Sequence, residues 1–245
     1  MNTFYLLILI TFLGYQGPQK PAHDDCKKIL MEAYDKISDP GNTNDIKKQY
    51  LSYRTTNYYR VPGENKLRSN AVSTQVSVQG QQVHVLNPEM EIVQDKKLTV
   101  TVLRNKKQIF ISQVPTDVAI SSNQLKAIRN HVLEKADVTG CQVLEGESLK
   151  LISMQLTEKS FESFPISSMK FWVSEKQKEV KKFEQIYKPG HNIERLLVEF
   201  TSPEKGATGE NTKIFKNPAD LVYDANGKLL LAYKGFEVID TRQLK

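Results

Sequence analysis

Two cysteines and four histidines are all that this chain of 245 residues has of the thiolate and imidazole side chains that hold transition metals. Two thiolates cannot supply a four-cysteine zinc site or an iron–sulfur cluster. His23, His84, His131 and His191 are scattered, with no HExxH and no pair at i,i+4. No apolar run approaches the roughly 20 residues that span a bilayer, which excludes a multi-span membrane protein. Nucleophile and phosphate motifs are missing too. There is no GxSxG, and Gly206 and Gly209 lack the spacing of GxxxxGK followed by Ser or Thr. Neither cysteine has a histidine beside it in sequence to activate it. The carboxylate pairs Glu89 with Glu91 and Glu145 with Glu147 read as solvated surface. Neither a helix-turn-helix nor a ribonucleoprotein-like aromatic pair is present, which argues against nucleic acid. The sequence therefore predicts no enzyme, no cofactor and no metal.

The longest apolar run, FYLLILITFL at 4–13, is ten residues without a charge, followed by the polar stretch YQGPQKPAHDD. It is too short to span a membrane but fits the core of a secretory signal, with Gly17 and Ala22 as small residues near a cleavage point. Export predicts a mature chain from about residue 23, long enough to bury about 70% of its unfolded surface around one core. In an oxidising compartment Cys26 and Cys141 could bridge, closing a loop of about 115 residues, or remain two buried thiols.

Cys26, Ile29, Leu30, Ala33, Tyr34 and Ile37 fall at helical spacing, with Asp24 or Asp25 as N-cap and SDPGN as the stop. From Leu51 the texture becomes short alternating segments separated by QGQQ at 79–82, LNPE at 86–89, QDKK at 94–97 and RNKK at 104–107, the pattern of an antiparallel meander. Alternation places His84 opposite Val83 and Val85, where it is expected to face solvent. A second helix is expected over Ser121–Val138, its apolar stripe including Leu125, Ile128, Val132 and Leu133, with Gly140 ending it. Further strands follow to Phe200, then a glycine-containing loop over 202–218 and a closing turn at Asp224–Gly227. Basic pairs such as Lys96-Lys97 and Lys106-Lys107 sit at hairpin turns, as a solubilising surface or as a weakly positive rim for an anionic membrane surface or an acidic envelope protein. The expected fold class is α+β, a curved antiparallel sheet with two or more helices packed on one side.

The helix CKKILMEAYDKI, the series VSVQGQQVHVLNPEMEIVQDKKLTVTVL, and the segment MKFWVSEKQKEVKKFEQIY followed by IERLLVEF together resemble the periplasmic carrier superfamily that sorts lipoproteins to the outer membrane, the LolA-like superfamily. The resemblance lies in element order and strand texture over about two thirds of the mature chain. It implies a half-barrel whose concave apolar face is lidded by helices and accepts lipid or lipoprotein acyl chains. It also implies Tyr53, Tyr58 and Tyr59 as cavity aromatics near the first strand, the alternative being that they alternate between ordinary packing and surface, with Ile128 and Val132 of the helical lid, beside Tyr53 and Tyr58, as the ligand-facing residues. The division expected is a signal at 1–22 and a single LolA-like domain at 23–245. A structural or interaction module of a cell-envelope assembly, its sheet filled by its own side chains, is the alternative.

Overall fold

The computed structural model describes residues 23–38, 49–79, 82–114, 133, 135–144, 146, 148–157, 165–201 and 217–243. Helix α1 spans His23–Ser38. Twelve strands follow: β1 Gln49–Arg60, β2 Leu67–Gln79, β3 Gln82–Leu86, β4 Met90–Gln94, β5 Leu98–Leu103, β6 Gln108–Gln113, β7 Asp137–Leu144, β8 Leu149–Gln155, β9 Ile166–Ser174, β10 Glu179–Tyr187, β11 Ile193–Thr201 and β12 Glu237–Asp240. All twelve belong to one sheet in the order β12-β6-β5-β4-β3-β2-β1-β11-β10-β9-β8-β7.

This corrects the α+β expectation. The sheet is mixed, because β12 runs parallel to β6, pairing Val238 with Ile109. Among the described residues α1 is the only α-helix of more than one turn. Most of the expected second helix, including Ile128 and Val132, lies outside the described residues. Its expected end does not hold: Asp137, Val138 and Gly140 pair with β8 as strand. Val138, Thr139 and Val143 are β-branched, and strand partners on β8 outweigh the helical spacing that precedes them.

The meander is built by local turn chemistry. Asn87 Oδ1 accepts the N–H groups of Glu89 and Met90, and Asp95 Oδ1 accepts those of Lys97 and Leu98. These side chains hold the tight reversals from β3 to β4 and from β4 to β5. Lys107 closes the next reversal with φ 51.

Cross-strand register separates the two faces of the sheet. Phe171 on β9 pairs with Phe183, Phe183 with Val198, Val198 with Thr55 and Thr55 with Val72. Alternation carries that face from Val72 to Val76, and pairing takes it on through Val85 and Ile92. Neighbouring Val93 therefore points to the opposite face, with Val100 and Ile111 beside it. The sheet thus buries different faces at its two ends. On the first face, α1 packs Cys26, Leu30 and Ala33 against Val138, Ile152, Met154, Met169, Phe171 and Val173. On the second, Leu221, Val222 and Tyr233 cover Val93, Val100, Val102, Ile109 and Ile111.

Cys26 and Cys141 form a disulfide, Cα to Cα 6.4 Å, which ties α1 to β7 within the first core. Positions 26, 30 and 33 lie along one helical stripe, and all three are fully buried.

Candidate functional site

Tyr53 and Tyr58 lie five residues apart on β1, so they point to opposite faces. Tyr53 meets Phe200 edge-on, ring centroids 6.2 Å apart, on the face that α1 covers further along the sheet. Tyr58 lies on the other face, with the Arg195 guanidinium carbon 3.7 Å from its ring centre. The structure does not bring them together, and Ile128 and Val132 lie outside the described residues.

On the face bearing Tyr53, an apolar row crosses the meander: Leu51 pairs with Val76, Val76 with Val85, Val85 with Ile92, and, past Thr101, Phe110. Each is part-exposed, although the reverse side of β4 to β6 is sealed by the second core. A sheet packed on one face alone ordinarily carries polar side chains on the other. Here an apolar row runs across that other face between polar side chains such as Thr99, whose hydroxyl donates to Gln94 Oε1.

A polar group sits at the edge of the second core. His84 and Glu91, each 9% exposed, are joined by a 3.0 Å contact between Nε2 and Oε1, and Arg104 pairs with the second Glu91 oxygen. Burial pushes the Glu91 carboxyl up, but the hydrogen bond with His84 and the charge of Arg104 outweigh it and hold the group below its ordinary value. Burial and the Glu91 charge push the Tyr233 phenol up. The solvent-facing histidine and the solvated Glu91 expected from alternation are both corrected. His84 does oppose Val83 and Val85, but the chain from Asn217 onward returns to cover that side.

A cleft of about 590 Å³ lies where the β1–β2 and β10–β11 turns meet, walled by Leu67, Ile186, Tyr187, Pro189, His191 and Arg195. Both turns are Pro-Gly reversals. Gly63 has φ 86 and Gly190 φ 90, with Glu64 N–H donating to Val61 O and His191 N–H to Lys188 O. Proline before a glycine of positive φ is the type II pattern. Arg60 joins the turns by pairing with Glu194 and donating to Asn65 O at 2.8 Å. His191 stacks on Tyr187 with centroids 4.6 Å apart, and its Nδ1 accepts the Ile193 N–H, which leaves Nε2 as the proton-bearing nitrogen. Burial raises the Tyr187 phenol above its ordinary value. Arg195 donates from Nη1 to Glu184 Oε1 at 3.2 Å, and its Nε is buried without a hydrogen-bond partner. Sequence reasoning missed this cleft. The available signal was two of the chain's three Pro-Gly dipeptides, at 62–63 and 189–190, each preceding a charged strand end. Among the described residues no cluster of three or more His, Cys, Asp or Glu is arranged to hold a metal ion.

No family model and no curated protein matches the chain. Among solved structures it is similar to an uncharacterized conserved protein from Thermus thermophilus, at 10% identity over 88% of this chain and 99% of that one, TM-score 0.38. It is similar also to a LolA superfamily protein from Nitrosomonas europaea, at 9% identity over 72% of this chain and 91% of that one, TM-score 0.28. A third likeness is to the MucA/MucB complex of Pseudomonas aeruginosa, at 10% identity over 75% of this chain and 60% of that one, TM-score 0.38. The superfamily that the sequence pattern resembles is thus represented among these structures. Superpositions this loose transfer no residue role and no activity.

Proposed function

We propose that this chain is an exported, non-enzymatic carrier or binding protein for a hydrophobic ligand, with the acyl chains of a lipid or lipoprotein as the favoured chemistry. The part-exposed row Leu51, Val76, Val85, Ile92 and Phe110 carries the reading, because it runs unbroken across four strands and then past Thr101 to Phe110, and at Ile92 and Phe110 the reverse side is already a packed core. An acyl chain laid along it would be stabilised by about 0.8 kcal/mol for each methylene removed from water, with no reactive group needed. The disulfide supports an oxidising compartment, and the apolar run at 4–13 supports export with residues 1–22 as the signal. In this reading residues 23–245 are the working domain.

Native mass spectrometry on detergent-free protein from its own host, followed by lipid extraction of the same sample, tests the reading. The expected result is a stoichiometric adduct of several hundred daltons that denaturation releases and Val85→Asp abolishes. A clean mass, together with no saturable binding of a fluorescent fatty acid, overturns the carrier and leaves an interaction module.

A further inference from the structure

We propose that the cleft between the two Pro-Gly turns is a second ligand site, for a small anionic amphiphile: a phosphate or carboxylate group on an apolar body. Three observations converge there.

The first is charge. Glu184, 7% exposed, serves two cations, Arg195 at 3.2 Å and Lys170 at 3.7 Å, so the spot holds one positive charge more than it neutralises. Lys188 lines the cleft as well, and the lining carboxylate, Glu194, is paired with Arg60. An anion entering the cleft therefore meets the Arg195 guanidinium with no unpaired acid among the lining residues.

The second is preorganisation. Tyr58 holds the guanidinium plane from below, Glu184 engages one Nη, and Nε has no partner, so part of the fork is unsatisfied. A guanidinium presents paired N–H donors that match the oxygens of phosphate and carboxylate. His191 adds a donor in Nε2, since its Nδ1 is engaged by the backbone of Ile193 and its ring is braced by Tyr187.

The third is shape. Leu67, Ile186 and Pro189 give the cleft apolar wall, and about 590 Å³ falls within the range of small-molecule sites. A bare inorganic anion would leave that wall in water, whereas an amphiphile buries it.

The site does not depend on the apolar row of the meander, so the two readings fail separately. Calorimetric titration of the full chain with hexyl phosphate, hexanoate, inorganic phosphate and 1-hexanol distinguishes head from tail. Hexyl phosphate or hexanoate is expected to saturate at one per chain, about tenfold or more tighter than inorganic phosphate or hexanol. Arg195→Gln should weaken it by about tenfold or more, with Arg195→Lys between the two. Because Arg195→Gln also disturbs Glu184, the variant His191→Ala supplies an independent loss from the turn itself. Val85→Asp should leave the affinity unchanged. Equal affinity for inorganic phosphate and hexyl phosphate, binding of hexanol as tight as hexyl phosphate, or affinity that survives both cleft variants overturns the proposal. So does loss through Val85→Asp alone, which moves the ligand to the other face.

Discussion

Replacing Cys26 and Cys141 together by alanine should cost about 4 to 5 kcal/mol. The bridge closes a loop of 115 residues, and the chain-entropy relation for a loop of that length gives this figure at 25 °C. For a chain of this size it corresponds to a fall in midpoint of about 10 to 20 °C. Packing adds little, since Cys26 is a small side chain in the stripe with Leu30 and Ala33, whose contacts with Phe171 and Met154 remain. Differential scanning calorimetry should therefore find the double variant and the reduced wild type melting close together, both well below the oxidised protein. Adding reductant to the double variant should change nothing. Two free thiols in the unfolded, unreduced wild type would refute the reasoning at its root. A fall of less than about 3 °C on reduction would refute the magnitude, by showing that the unfolded chain is restrained in another way.

Two further changes probe the meander. Glu91 is held below its ordinary value of 4.5 when folded, so its contribution is present above that value and is lost as pH falls through the depressed one. Denaturant titrations from pH 6 to 3 should show Glu91→Gln destabilised by about 1 to 3 kcal/mol at pH 6, with the gap narrowing toward pH 3; a constant gap would count against the pairing with His84 and Arg104. Lys107→Gly should raise stability by about 0.5 to 1 kcal/mol, because φ 51 suits glycine better than a residue with a Cβ; a lower urea midpoint would show that the lysine side chain contributes more than its backbone costs.

The hairpins of the meander were legible because their causes are local: Asn87 and Asp95 stand at the turns their own side chains hold. Burial was not, because it is decided far along the chain. Alternation correctly set His84 opposite Val83 and Val85, but that side is covered from Leu221 to Tyr233, which no window around residue 84 contains. Val93 was the clue left unused, since it shares a face with Glu91 and reads as core. The end of the expected second helix failed for a similar reason, as Val138 finds Met154 across a ladder that helical spacing ignores. Strand parity alone separates Tyr53 from Tyr58, whereas the Arg195 cleft needs the non-local pairing of β1 with β11 before its turns become neighbours.

The placement of the two cores also orders events during synthesis. Helix α1, made before every strand, finishes the core of β7 to β10, while residues made after β11, from Leu221 onward, finish the core of β4 to β6. Each of these two groups of strands is thus sealed by a segment distant from it in sequence. Strands β2 to β6 can pair as they emerge, yet β4 to β6 must hold an uncovered aliphatic face until the segment from Leu221 has been made. A fragment ending at Thr201 would keep eleven of the twelve strands and expose Val100, Val102, Ile109 and Ile111. It would be a substrate for chaperones and proteases rather than a smaller working protein.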